Sequence, residues 1–293
     1  MQATYIMAAR QEAIQYLPTG ADLNALTWDQ IREWGANIEA ATGERKLGFP
    51  AGEDGLWHRF FQGYAYPSFT GGLNTTFAGS DAVAMWTWLK DTWKYVNPQS
   101  TTYGFMQEPL QSGEVWVAWD HTSRLIEALR NKPGEVVAFP APAGPKGRGF
   151  MPVVAGLAIP KAAPNAEGGK ALIKYLLQPD TQAKTLTEVS FFPVVTADLP
   201  GELDPGTKAE QDAVAAMTGA SDALPSILPV GLGDQGGAYN QVFRDAFQQI
   251  VLDGQDPAGV LAAQKANLQA VLDGVKAACW QPDPKGDGTC QVQ

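Results

Sequence analysis

The chain has 293 residues, and 21 Lys and Arg stand against 31 Asp and Glu, which gives a net charge of −10 at pH 7. This length allows one large domain or two modest ones. The acidic balance argues against a nucleic-acid-binding protein, which needs a basic surface. No apolar stretch approaches the ~20 residues that span a bilayer. Nine Trp beside two His and two Cys favour binding of a neutral, polar ligand over metal or nucleophile chemistry.

Strands and helices alternate from the first residues onward. Residues 4–9 predict a strand, residues 10–17 a short helix and residues 46–50 another short strand. Between them a capping box, T-W-D-Q, predicts a helix over 27–43. A strand so close to the start indicates either missing upstream sequence or a fold that begins with a strand.

The middle of the chain continues the alternation. The predicted elements are helices over 56–64, 80–93 and 120–131 and strands over 114–119 and 135–140. Three Pro and three Gly predict an exposed connection over 140–149. Residues 153–160 predict a strand, and its internal glycine indicates a close backbone approach.

The last third is mostly helical. The predicted elements are helices over 165–177 and 179–188, a strand over 190–195, a helix over 239–254 and a helix from Asp256-Pro257 to about 278. Thr207 and Glu210 predict a second capping box. Strands that alternate with helices in this way predict an α/β protein.

Two motifs could indicate a cofactor, a metal or a disulfide. The glycines between Gly231 and Gly236 match a dinucleotide-binding pattern, but two prolines in the preceding segment argue against the strand that such a site requires. We therefore predict a turn there, and neither a cofactor nor a metal. Cys279 and Cys290 predict a disulfide in an oxidising compartment and two free thiols otherwise.

Aromatic and polar side chains meet where strands become helices, which is where α/β folds bind ligands. The candidate ligand-binding residues there are Trp57, His58, Trp119, Asp120, His121 and Arg124. A Trp face suits a sugar ring, and Asp, His and Arg suit its hydroxyls. Core packing is the competing interpretation for the two tryptophans.

A glycosidase is the second function class to weigh. It would need two carboxyl groups flanking the scissile bond. Asp120, Glu53 and Asp54 are available, but no spacing pairs them. We therefore predict a binding protein without enzymatic activity. A protein-interaction module that works without sugar is the third class.

The order of several segments resembles the extracellular solute-binding proteins of ABC transporters, in the branch that includes maltodextrin- and monosaccharide-binding proteins. The segments are TYIMAARQEAIQYLP, LTWDQI, TTFAGSDAVAMWTWLKD, LQSGEVWVAWDHTSRL, VAFPAPAGPKGRGFMPVVAGLAIPKAAPN, YLLQPDTQAKTLTE, FFPVV and the final helix pair. The resemblance implies a periplasmic-binding-protein-like fold of two α/β lobes. It assigns residues 1–153 and 200–293 to a nearly complete carboxyl-terminal lobe and 154–199 to a hinge crossing and a partial amino-terminal lobe.

The resemblance also implies function and location. It adds Tyr239 and the backbone at Gly156 to the expected ligand contacts. It implies a mono- or oligosaccharide ligand, with a compact monosaccharide such as glucose preferred. The expected partners are this sugar and the permease subunits of the importer, and the protein is expected to be a monomer in the periplasm or outside the cell, membrane-associated in its parent form.

One departure from the family is expected to have structural consequences. Family members begin with a signal peptide and the opening strands of the amino-terminal lobe, which have no counterpart here. We therefore expect a truncated chain. Its residues 156–195 should expose apolar surface that invites aggregation.

Overall fold

The computed structural model describes residues 2–196 and 203–293. The strands are β1 (Gln2–Ala3), β2 (Tyr5–Arg10), β3 (Leu47–Gly48), β4 (Val117–His121), β5 (Val136–Phe139), β6 (Arg148–Phe150), β7 (Val153–Val154) and β8 (Ala223–Pro225). The helices are α1 (Trp28–Thr42), α2 (Trp57–Phe60), α3 (Tyr66–Thr70), α4 (Ser80–Thr92), α5 (Gln107–Ser112), α6 (Thr122–Asn131), α7 (Ala166–Leu176), α8 (Pro179–Val189), α9 (Pro205–Thr218), α10 (Gly236–Phe247) and α11 (Pro257–Val275).

The main sheet has four strands in the order β3-β4-β2-β5. The strand β2 is antiparallel to both β4 and β5, and β3 runs parallel to β4. Five of the six residues of β2 are buried, because helices cover both faces of the sheet. The register places Tyr5 opposite His121 at one end of the β2–β4 pair. That end of the sheet carries the polar residues described below.

Aromatic rings fill the core between the sheet and the helices. Phe61 stacks on Trp86 with ring centroids 4.6 Å apart, and Tyr66 stacks on Phe77 at 5.6 Å. The O–H group of a buried Tyr and the N–H group of a buried Trp usually form a hydrogen bond. The Trp86 indole donates to the Tyr66 hydroxyl at 3.0 Å, and that hydroxyl donates to the backbone of Phe77.

The aromatic helix predicted over 56–64 is longer and less regular than expected. A π-helical turn, Phe61–Ala65, joins α2 to α3, so the helical run continues to Thr70. Gly63 lies inside this turn, where an added Cβ would lie 2.6 Å from Cβ of Met151. Insertions of this kind often occur at functional sites.

Local capping signals predicted two helix starts correctly. Thr27 and Gln30 form the reciprocal capping box at α1, and Asp256 accepts a hydrogen bond from Gly259 N at 2.9 Å at α11. The predicted capping box at Thr207 is wrong. The cap of α9 is Asp204, whose carboxylate accepts from the backbone N of Thr207 at 3.0 Å, and Pro205 occupies the first helical position.

The connection over 140–149 was expected to be exposed, and most of it is buried. Its backbone bonds to the rest of the fold: Trp28 N donates to Ala143 O at 2.9 Å, and Gly149 N donates to Ser68 Oγ at 2.9 Å. Arg148 is buried and donates to the carbonyl of Ala141. These tertiary bonds satisfy the polar backbone and let a Pro- and Gly-rich segment lie inside.

The two strands predicted over 153–160 and 190–195 are mostly absent. Only β7 forms in the first, pairing with β1, and the second forms a single bridge at Phe192. A strand needs a paired neighbour to persist, and the described residues supply no further partner strand here. No residue of α7 is buried. The predicted segment boundary at residue 199 lies outside the described residues.

The tail after α11 is fastened by a disulfide and by a carboxylate. Cys279 and Cys290 form the predicted disulfide, with their Cα atoms 4.5 Å apart. The buried Asp283 accepts hydrogen bonds from the backbone N of Leu73 at 2.8 Å and of Asn74 at 2.7 Å, and from the hydroxyl of Thr75 at 2.6 Å. The tail is therefore part of the folded body.

Candidate ligand-binding site

Polar side chains of α2, of the π-helical turn that follows it and of α10 meet near the start of α2, although α10 lies far away in sequence. Gln62 accepts from the Arg59 guanidinium at 2.8 Å and donates to Oδ1 of Asn240 on α10 at 3.0 Å. Arg244, one turn further along α10, donates to Nδ1 of His58 at 3.2 Å. Spacings of three and four residues put each pair on one helix face. Together they form a polar cluster above the aromatic core, which we call the helix cluster.

His58 is neutral within the helix cluster. Because burial and the nearby charges of Arg59 and Arg244 disfavour a positive charge on the imidazole ring, the pKa of His58 falls to about 3. Since its Nδ1 accepts a hydrogen bond from Arg244, the ring proton lies on Nε2. The ring can therefore donate one hydrogen bond toward a ligand from Nε2.

The second group of polar residues lies where β4 becomes α6, and we call it the strand-end cluster. Asp120 is fully buried and accepts from the backbone N of Met106 at 3.0 Å and of His121 at 2.7 Å. Burial raises its pKa to about 6, against the opposing effects of Arg124 and these two N–H groups. Its carboxylate therefore fixes the local backbone.

His121 and Arg124 complete the strand-end cluster. Nδ1 of His121 accepts from Ser123 N at 3.2 Å and caps α6, so its ring proton also lies on Nε2. Burial, reinforced by Arg124, lowers the pKa of His121 to about 4. Arg124 donates to Gly104 O at 3.0 Å and lies over the Phe105 ring at 4.2 Å. The arginine is partly exposed.

Tyr5 lies beside the strand-end cluster. It faces His121 edge-on, with ring centroids 4.9 Å apart. Its pKa is raised chiefly by burial, and the charges of both Arg59 and Arg124 act to lower it. In the core, the Trp57 ring, next to His58, packs edge-on against the Trp119 ring, next to Asp120, with centroids 6.1 Å apart. The helix cluster and the strand-end cluster therefore belong to one polar region at the same end of the sheet.

Three predicted ligand contacts lie in the core. Tyr5 stacks on Trp119, with centroids 4.7 Å apart and planes 5° from parallel, and Phe60 stacks on Trp57 at 4.4 Å. Tyr239 is fully buried and donates to Asn74 Oδ1 at 2.7 Å. Protein covers these rings, so the structure argues against direct contact of Trp57, Trp119 and Tyr239 with a sugar. Trp57 and Trp119 adjoin His58 and Asp120 in sequence and form an aromatic floor with Tyr5 and Phe60, whereas Tyr239 packs on Phe243 and Trp280.

Gly156 is not joined to either cluster by any contact within residues 2–196 and 203–293. It lies in the exposed segment after β7, and nothing comes within 4 Å of the place where its Cβ would be. The expected hinge-side contact at Gly156 stays a prediction.

A family model described as bacterial extracellular solute-binding protein matches residues 4–183, which is more than half of the chain. The chain belongs to this family. A search of curated protein sequences finds no match.

Solved structures show the fold of this solute-binding protein. UgpB from Mycobacterium tuberculosis, in complex with glycerophosphocholine, matches with a TM-score of 0.71 at 17% identity, over 93% of this chain and 70% of that chain. The GacH receptor of Streptomyces glaucescens matches at 0.68 and 18%, over 94% and 70%. The sugar-binding protein MalE from Xanthomonas citri matches at 0.68 and 18%, over 93% and 69%. The α/β fold is periplasmic-binding-protein-like, as predicted.

The family also indicates whether the protein is a binding protein or an enzyme. Its members are binding proteins, and so are these neighbours, which supports the prediction of a protein without enzymatic activity. The family is extracellular. No helix within residues 2–196 and 203–293 is long and apolar enough to cross a membrane.

Sequence reasoning missed four residues of the helix cluster in this solute-binding protein, namely Arg59, Gln62, Asn240 and Arg244. A local signal was present. His58, Arg59 and Gln62 interrupt an otherwise aromatic helix at spacings that share one face. The pairing of Gln62 with Asn240 spans 178 positions, and no local pattern predicts such a contact.

Proposed function

We propose that this solute-binding protein is the sugar-binding component of an ABC importer, which binds a mono- or oligosaccharide and delivers it to the membrane permease. The observation that carries the proposal is the polar region itself. Hydrogen-bonding side chains from α2, α6 and α10 converge above an aromatic floor, which is the composition of a small-molecule site. The GacH receptor is described in complex with acarbose and MalE as sugar-binding, which supports a carbohydrate ligand.

The proposed architecture has two lobes that close on the ligand. Residues 1–153 and 200–293 form the carboxyl-terminal lobe, and 154–199 hold the hinge crossing and part of the amino-terminal lobe. Packing of α6 on α9 and pairing of β6 with β8 support joining the first and last of these segments. Closure would be the signal that the permease reads. We place the protein in the periplasm or outside the cell, associated with the membrane in its parent form.

The test is ligand binding by the full chain, followed by calorimetry or Trp fluorescence, across a panel of mono- and oligosaccharides. Asn240→Ala removes the amide that links α10 to Gln62. We expect affinity for the bound sugar to fall about three- to tenfold, the effect of one neutral hydrogen bond.

Gln241→Ala is the matched control. Gln241 is the next residue of α10, is exposed, and its side chain donates to Asp245 on its own helix at 2.7 Å. This control should bind like the wild type. If the chain binds no sugar in the panel, the proposed function is wrong. If both variants bind like the wild type, the site has been misplaced.

A further inference from the structure

We infer that the ligand carries an acidic group, a carboxylate or a phosphate, beside its hydroxyls. This inference rests on the proposed function and narrows it to sugar acids or sugar phosphates. It follows from the hydrogen bonds of the polar region. The acceptors there already bond to donors of the protein, whereas several donors have no partner among the described residues.

The acceptors of the helix cluster already accept from neighbours. Oε1 of Gln62 accepts from Arg59, Oδ1 of Asn240 accepts from Gln62, and Nδ1 of His58 accepts from Arg244. The amide orientations follow from the network, since Arg59 can only donate. Each amide oxygen keeps one further lone pair, but Gln62 is buried, so a sugar hydroxyl that donates would find its acceptor chiefly at Asn240.

The strand-end cluster shows the same bias. Nδ1 of His121 accepts from Ser123 N. Both oxygens of the Asp120 carboxylate accept from backbone N–H groups, and Arg124 lies 3.5 Å from one of them. Asp120 is fully buried. The one carboxylate of the cluster is thus committed to the fold, whereas a neutral sugar is usually held by carboxylates that accept from its hydroxyls.

Several N–H donors of the polar region have no acceptor among the described residues. Arg59 makes one hydrogen bond with its five N–H groups in the described part of the chain, to Gln62. The Asn240 amide nitrogen and Nε2 of both histidines add neutral donors. Planar guanidinium forks match carboxylate and phosphate oxygens in pairs. Arg59, Arg124 and Arg244 are only partly buried, so a ligand can reach them.

The charge of this region is also unbalanced. Neither Arg59 nor Arg244 forms an ion pair within residues 2–196 and 203–293, although Arg244 donates to backbone carbonyls at Glu53 and Gly55. Burial lowers the pKa of Arg59, which shows a desolvated cation without a carboxylate beside it. In a chain of net charge −10, the two clusters themselves hold three arginines and one buried carboxyl. Glu53 and Asp54 lie at their edge, so it is the guanidinium groups inside the clusters that favour an anion.

The experiment compares four probes on the full chain by titration calorimetry: glucose, glucuronate, glucose 6-phosphate and inorganic phosphate. We expect at least one acidic sugar to bind about tenfold or more tightly than glucose, because charge-assisted hydrogen bonds are roughly twice as strong as neutral ones. Arg59→Gln and Arg244→Gln should each reduce the ratio of acidic-sugar affinity to glucose affinity about tenfold or more. Arg244→Lys, which keeps the charge, should retain much of the preference for the acid.

Arg32→Gln is the matched control, because Arg32 pairs with Asp29 on the outer face of α1, and it should leave all four affinities unchanged. Circular dichroism confirms that each variant is folded. If glucose binds as tightly as both acidic sugars, the inference is overturned and the proposed function stands. If phosphate alone binds as tightly as the acidic sugars, the requirement for a sugar is wrong. If no sugar binds, the proposed function fails as well.

Discussion

At the scale of single residues, Asp120 connects the fold to the site. Its carboxylate holds the backbone at Met106 and His121, and it is the nearest negative charge to Arg124. Burial raises its pKa from 3.8 to about 6, so the folded protein binds a proton there more tightly than the unfolded chain does. The stability that this proton contributes is fully present below pH 3.8 and is lost as the pH rises through about 6.

This linkage gives a pH prediction for Asp120→Asn, which is neutral at every pH. As the pH rises from 4 to 7, the free energy of unfolding of the wild type should fall relative to that of the variant by about 2.4 kcal/mol, most of the full effect of the pKa shift at 1.36 kcal/mol for each unit. Urea unfolding at several pH values measures the difference. A constant offset from altered hydrogen bonding does not matter, because only the change with pH is compared. A difference for Asp120→Asn that stays flat across pH would contradict the raised pKa.

At the scale of elements, the turn after α3 depends on the distant tail. The backbone N–H groups of Leu73, Asn74 and Thr75 all point at the Asp283 carboxylate. Asp283→Ala leaves these donors unsatisfied inside the protein, and we expect the free energy of unfolding to fall by about 3 kcal/mol. Asp287→Ala, an exposed change in the same tail, should cost less than about 0.5 kcal/mol. Equal urea midpoints for the two variants would show that the tail does not hold the turn.

Elements with local signals were predictable from the sequence. The capping box at Thr27 and the Asp256-Pro257 pair correctly predicted where α1 and α11 begin. Such signals are local, because a cap and its partner lie within three residues of each other. Two competing caps lie close together before α9, and Asp204 with Pro205 forms the start in place of Thr207. Burial of the connection over 140–149 depends on Trp28 and Ser68, which lie far away in sequence. The polar region has the same origin, since Gln62 and Asn240 meet only after the chain has folded.

At the scale of the whole molecule, many apolar side chains between residues 154 and 194 stay exposed to solvent within the described part of the chain. The exposed apolar side chains there include Val154, Leu157, Leu172, Tyr175, Leu177, Val189 and Val194. Leu157 and Tyr175 keep 64% and 58% of their surface exposed. Large contiguous apolar patches on soluble proteins mark contact surfaces or aggregation sites. The expected exposure of residues 156–195 is thus present in the structure, and its effect on solubility follows as a prediction.

The double variant Leu172→Lys, Tyr175→Lys replaces two of these exposed side chains on α7, a helix without a buried residue. We expect less fluorescence from a dye that binds apolar surface and a higher soluble concentration, because two charges interrupt the patch. The free energy of unfolding should change by less than about 0.5 kcal/mol, because exposed positions contribute little to packing. Val230→Lys, at an apolar residue 50% exposed in a different segment, is the control and should leave both readouts near the wild-type values. If the two variants reduce dye binding equally, the patch on α7 is not what limits solubility.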